Sequence, residues 1–229
     1  MTESARYGWT VLLPVKVLAQ AKSRLAQLAG ERRHALALAL ASDTVAAAAA
    51  CPEVARVIVV TSDSVAGPRL SALGALIVPE AAGGVAPAPS ADGSQRPLNA
   101  ALLGGAAVAA ARWPESGLAA LTADLPALRP AELARALRAA SDAGRPAFVP
   151  DAAGVGTTLY AVLPGREFTP MYGGASRARH AAGGAVELAL DGIAGLRQDV
   201  DTPDDLRAAV ALGVGPRTAE VAAELLADA

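Results

Sequence analysis

A single cysteine, Cys51, stands in a chain of 229 residues, so no disulfide can close within it. A lone thiol fits a reducing compartment, and the expectation for this one is a buried structural side chain. Aromatic residues are also scarce, at 3% against 53% hydrophobic, so the core has to be built from small aliphatic side chains packed closely. No block of like charge occurs, and the net charge is −2 with a pI near 5.7. That balance disfavours a sequence-general nucleic-acid binder. The opening MTESARYGWTVLLPVK lacks the basic start and long apolar core of a signal peptide. The apolar segment 34–50 is interrupted by Ser42 and Asp43 and falls short of a membrane span. The expectation is a soluble cytoplasmic protein with no membrane partner.

Motifs are missing too. There is no G-x-x-x-x-G-K-[ST] and no G-x-G-x-x-G after the first strand, so neither a P-loop nor the dinucleotide-binding fingerprint is present. No Ser/His/Asp arrangement, H-E-x-x-H or cysteine cluster supports covalent or zinc chemistry.

What the chain does have is alternation. Apolar strand-like runs at 9–15, 57–61, 75–78, 118–122 and 147–149 are separated by Ala/Leu-rich helical stretches at 34–50, 65–73, 98–111 and 130–140. Continuous apolar strands between helices predict an α/β fold with a mainly parallel sheet covered on both faces, in one domain spanning 1–229. The stretch GGVAPAPSADGSQRP, 83–97, is rich in Pro, Gly and Ser and reads as a mobile loop. The last helical stretch, 218–229, packs either on its own domain or on a partner, and oligomeric state is not legible. In open sheets of this kind ligands collect beyond the carboxyl ends of the strands, so polar residues there carry the argument.

Four aspartates crowd into DVDTPDDL, 199–206. Thr202 reads as an N-cap, Pro203 as the first helical residue, and Asp204 and Asp205 as first-turn acids that start a helix. Asp199 and Asp201 flank Val200 at the end of a predicted strand, where alternation puts both on one face. Two hard oxygen ligands on one face suit Mg²⁺; a solvated turn is the ordinary alternative. In LAALTADLPAL, 118–128, a strand runs into Asp124, which can complete a three-carboxylate site or simply cap a turn.

LLPVKVLAQAKSRL, 12–25, supplies the opposite charge: Lys16, Lys22 and Arg24 follow a strand that ends at Pro14. Such cations can cradle a triphosphate and oppose the charge on departing pyrophosphate, or can lie on a solvated helix face. In GVGTTLY, 154–160, and MYGGASRARH, 171–180, Thr158, the pair Gly173-Gly174 and Ser176 as a helix N-cap form a second candidate anion site. His180 reads equally well as a satisfied core or surface histidine, and His34 as structural. The inventory suits transfer of a nucleotidyl group to a phosphorylated acceptor, which is already anionic at neutral pH and needs no general base. Positioning and charge neutralisation would then carry the rate.

LLPVKVLAQAKSRL, LNAAL, TADLPAL, GTTLY, YGGASRARH and DVDTPDDL, in this order, resemble the phosphoenolpyruvate / 2-phospho-L-lactate guanylyltransferases of coenzyme F-420 biosynthesis, over about 9–211. The resemblance implies a Rossmann-like nucleotide-diphospho-sugar-transferase (GT-A-like) fold. It implies that GTP reacts with a small phosphorylated three-carbon acid, giving a GMP-linked diphosphate and pyrophosphate. By the same resemblance Asp124, Asp199 and Asp201 would hold Mg²⁺, and Thr158, Gly173 and Ser176 would bind the acceptor. Pro14, Lys16, Lys22 and Asn99 would lie at the nucleotide, with Lys16, Lys22 and Arg24 facing its phosphates. Pro97 stands where the family more often has glycine. A molybdopterin or sugar-phosphate nucleotidyltransferase is the rival within the class, disfavoured because 12–25 contains no glycine. A nucleotide-sensing module without catalysis is the rival outside it.

Overall fold

The computed structural model describes residues 8–18, 22, 25–80 and 96–227. Seven strands form one sheet: β1 (Trp9–Pro14), β2 (Val54–Val60), β3 (Leu76–Val78), β4 (Gly117–Leu121), β5 (Ala147–Pro150), β6 (Thr157–Val162) and β7 (Val186–Glu187), in the spatial order β3-β2-β1-β4-β6-β5-β7. All pairings are parallel except those of β6, which runs antiparallel to both β4 and β5. This is the mainly parallel α/β sheet expected from the alternation, with one strand reversed. Reversal of β6 brings its first residue, Thr157, to the edge where the parallel strands end.

The strands are apolar on both faces because both faces are covered. Val11, Leu13, Val57, Val59 and Leu121 point into one core, whose helical wall includes α2 (Arg33–Ala49) and α5 (Pro130–Ala143). Leu12, Ile58, Val60, Ala120, Phe148 and Tyr160 point into the other, under α4 (Arg96–Arg112). This is the period-two alternation of a strand, applied to a sheet with no solvent face. Cys51 is buried, as expected of a structural thiol. The loop expected over 83–97 lies outside the described residues except for Arg96 and Pro97, which open α4.

The last helices settle on the first. α8 (Pro203–Leu212) and α9 (Pro216–Ala227) bury Leu206, Ala222 and Leu225 against Leu36 and Leu40 of α2 and against Leu25, just before α1 (Ala26–Ala29). α9 therefore packs on its own chain. The buried Asp43 of α2 accepts the Thr218 N–H at 2.7 Å, capping α9 from a neighbouring helix. Among the described residues no helix is long and apolar enough to cross a membrane.

One correction concerns DVDTPDDL. Asp199 and Asp201 do not end a strand; residues 198–202 are an irregular link between α7 (Ala194–Arg197) and α8, with the Asp199 N–H turned back onto the Arg197 carbonyl at 3.2 Å. Their position comes from two contacts. The Val200 N–H donates to the Asp124 carbonyl at 3.1 Å, and Gly195 lets α7 press onto the chain after β4. A Cβ on Gly195 would stand 2.1 Å from the Ala127 carbonyl oxygen, closer than any real contact. Gly195→Ala is expected to force α7 away and cost about 2 kcal/mol by overpacking. Urea unfolding should show a lower midpoint at unchanged slope, and an unaltered midpoint would show that α7 is not held this way.

Candidate active site

At the carboxyl edge of the sheet a cavity of about 440 Å³ opens between the residues after β1, the start of α4 and the ends of β4 and β5. Pro14, Lys16, Lys22, Asp124, Gly173, Ser176, Asp199 and Asp201 all line it. Residues as distant in sequence as Pro14 and Asp201 line one cavity because strand ends, and segments bonded to them, converge at this edge.

On one side stands an acidic cluster with a lysine in it. The Lys22 ammonium donates to Asp124 Oδ2 and, at 2.9 Å, to Asp201 Oδ1. Burial pulls its pKa down, but the Asp124 and Asp201 carboxylates outweigh this and the net shift is upward, so Lys22 is charged. Lys22 sits at φ 55°, a left-handed conformation rare outside glycine. Asp199 is pushed up to about 7, first by burial and then by Asp124, Asp201 and Asp151 around it. One oxygen of Asp124, Oδ1, is buried with no hydrogen-bond partner among the described residues.

These observations refine the three-aspartate expectation. Among the described residues no group of three or more Asp, Glu, His or Cys converges as a metal site, and Lys22 bridges two of the carboxylates. The chemistry of the donors still fits a hard divalent cation: the carboxylates are hard oxygen ligands, and Asp124 Oδ1 is a buried one without a hydrogen-bond partner among the described residues. Asp204 and Asp205 belong to the helix start instead. The Asp205 N–H donates to Thr202 Oγ1 at 3.2 Å and the Thr202 N–H donates to Asp205 Oδ2 at 2.8 Å, a reciprocal cap with Pro203 in the first helical position.

On the other side lies the loop 171–175. Gly173 and Gly174 have φ of 103° and 44°, which a side chain would resist. Ser176 is not the N-cap: α6 (Ser176–Ala182) has Ala175 in that place, and Ser176 is its first, buried residue. Thr158 is also displaced from expectation. It is fully buried inside β6, its hydroxyl 3.5 Å from the Val149 carbonyl, and its neighbour Thr157 lines the cavity instead. Asn99 does not line the cavity; its amide is bonded to the backbone of Tyr172. Arg24 lies outside the described residues, and Lys16 is exposed at the mouth.

Sequence reasoning missed Asp151, and of the two readings open for His180 the structure selects the core one. Asp151 follows β5 at the same edge, where the strand-end rule points; its carboxylate closes its own turn by accepting the Val155 and Gly156 N–H groups at 2.8 and 2.7 Å. His180 is a satisfied core histidine. Its Nε2 accepts the Met171 N–H at 2.9 Å, so the ring proton is on Nδ1 and is donated to Thr157 Oγ1 at 3.0 Å. The ring stacks on Tyr160 with centroids 4.6 Å apart. Nothing in the spacing of YGGASRARH reports such a partner.

No protein-family model matches the chain. It is 60% identical over 219 residues to the phosphoenolpyruvate guanylyltransferase of Streptomyces coelicolor, covering 95% of this chain and 97% of that one. It is 57% identical over 224 residues to the phosphoenolpyruvate guanylyltransferase of Thermomonospora curvata, covering 98% and 92%. The chain belongs to the phosphoenolpyruvate guanylyltransferase family. Among solved structures it is similar to 4-diphosphocytidyl-2C-methyl-D-erythritol synthase, with a TM-score of 0.54 at 12% identity over 90% of this chain and 99% of that one. At that identity the likeness concerns the fold alone. The guanylyltransferase family thus accounts for the sheet, and the nucleotidyltransferase reading rests on relatives that match nearly end to end.

Within this guanylyltransferase fold, His180 makes stability depend on pH. Burial, then the neighbouring Arg179, push it down to about 4. An unfolded histidine titrates near 6.5, so between those values the unfolded chain binds the proton and the folded one does not. Stability is therefore full above about pH 6.5 and falls as the pH drops toward 4, by about 2 kcal/mol at pH 5. Urea unfolding of wild type and His180→Gln at pH 7.5 and 5 checks this: the wild type should lose that much more than the variant. Equal losses would place the titration elsewhere.

Proposed function

We propose that this protein transfers GMP from GTP to phosphoenolpyruvate, giving enolpyruvoyl-2-diphospho-5'-guanosine and pyrophosphate, in coenzyme F-420 biosynthesis. A phosphate oxygen of the acceptor attacks the α-phosphorus of GTP. The bond to the β-phosphate breaks, and its electrons leave with pyrophosphate. The observation that carries this reading is the division of one cavity into a charged side and an uncharged donor side, in a chain 60% identical to a protein of that name.

Lys22 within the acidic cluster and Lys16 at the mouth suit the GTP phosphates, with Pro14 at the end of β1 lining the same cavity. Bound at Asp124, Asp199 and Asp201, Mg²⁺ would supply charge neutralisation at the phosphates. The loop 173–176 suits the phosphate or carboxylate of the acceptor. The relatives' names favour phosphoenolpyruvate over 2-phospho-L-lactate, a choice the residues alone do not make. No general base is needed, and none of the carboxylates is assigned as one.

The deciding measurement is pyrophosphate release from GTP and Mg²⁺ with phosphoenolpyruvate, 2-phospho-L-lactate or 3-phosphoglycerate offered separately. Release with phosphoenolpyruvate is expected. Asp124→Ala should lower kcat by orders of magnitude while the far-ultraviolet circular dichroism stays unchanged, as loss of preorganised charge requires. Normal turnover by this variant would remove Asp124 from the mechanism. Folded wild-type protein silent with all three acids would overturn the function.

A further inference from the structure

Asn99 lies in the first turn of α4, and both ends of its side-chain amide engage the backbone of one residue, Tyr172. Nδ2 donates to the Tyr172 carbonyl at 3.1 Å, and Oδ1 accepts the Tyr172 N–H at 3.0 Å. This is the reciprocal pairing that a neighbouring strand gives a residue in an antiparallel sheet. A side chain supplies it here, in a segment that belongs to no strand. Tyr172 is fixed at its other end as well: its hydroxyl donates to the Ala120 carbonyl of β4 at 2.9 Å, and its ring meets His180 edge-on.

The consequence falls on the next residue. A planar trans peptide carries its C=O and the following N–H on opposite sides. Holding the Tyr172 carbonyl toward Asn99 therefore turns the Gly173 N–H away from Asn99. Gly173 and Gly174 line the cavity and Asn99 does not. Among the described residues no hydrogen bond uses the N–H of Gly173, Gly174 or Ala175. With φ in the left-handed region at both glycines, the backbone there has freedom that only the flanking anchors remove.

We infer that Asn99 is a positioning residue for the acceptor: its amide sets the Tyr172–Gly173 peptide so that the Gly173 N–H is offered to the acceptor's phosphate or carboxylate. Its role is thus on the acceptor side and not at the nucleotide, where the family resemblance alone would put it. The inference rests on the proposed reaction and adds to it a residue that never touches the substrate.

Asn99→Leu keeps the size of the side chain and removes its donor and acceptor. Steady-state kinetics of pyrophosphate release should show the KM for phosphoenolpyruvate raised about tenfold, as loss of this bond pair implies. The KM for GTP should stay within about twofold, since a residue acting through Tyr172 has no term in nucleotide binding. Phosphoenolpyruvate titrated by NMR without GTP should weaken in parallel, a readout that general loosening of the fold would not confine to one substrate. Asn99→Ala serves by the same criteria if the leucine variant does not fold. A GTP KM that rises as much as the acceptor's, or two unchanged KM values, would overturn the assignment. Wild-type protein that neither binds nor turns over phosphoenolpyruvate would overturn the reaction itself, and the role of Asn99 with it.

Discussion

The ion pairs of Lys22 with Asp124 and Asp201 hold the site together. They join three stretches distant in sequence: the residues after β1, the end of β4 and the link into α8. Without a cation between them the carboxylates of Asp124, Asp199 and Asp201 would repel one another at an edge where burial already penalises charge. The backbone bond from Val200 to Asp124 fixes their spacing, and Gly195 permits it by letting α7 come close. Lys22 then makes the crowding tolerable. A buried charge left without its partner is costly, so the lysine and the acids are conditions of each other's presence.

The opposite side of the cavity is built by other means. A chain with so few aromatic residues places both phenylalanines and two of its three tyrosines around one buried region: Phe148, Tyr160, Phe168 and Tyr172 lie there with His180 among or beside them. Large rigid rings fill the space beneath loop 171–175 that alanine and valine cannot. His180 and Asn99 satisfy the backbone groups of Met171 and Tyr172 from below, so the loop is held by neutral contacts. The acidic half is thus ordered by charge and the loop half by packing and hydrogen bonds.

The sequence made much of the fold legible, because strands covered on both faces must be continuously apolar and this leaves a plain trace at 9–15 and 57–61. The direction of β6 left none, since antiparallel and parallel buried strands have the same composition. That reversal is why Thr157, and not Thr158, reaches the cavity. The strand-end rule points to Asp124; for Asp199 it points to the right neighbourhood for a wrong local reason, a strand where the structure has an irregular link. Helix starts were read well where the cap is a side chain, as at Thr202, and poorly where it is backbone geometry, as at Ser176. The partnership of Asn99 with Tyr172 spans 73 positions, and no local pattern encodes it.

The electrostatics of the two halves constrain the chemistry further. Both proposed substrates are polyanions, and the cavity that would receive them carries Asp124, Asp151, Asp199 and Asp201 against Lys16 and Lys22. Two lysines do not offset four carboxylates, even with Asp199 raised to about 7. A triphosphate brought to such an edge meets repulsion that Lys16 and Lys22 alone do not cancel. The same acids would be a liability in any site that bound phosphates unaided. In the proposed reaction, added positive charge at these carboxylates would favour both substrates. The acceptor loop, free of carboxylates of its own and offering only N–H groups and a hydroxyl, requires none.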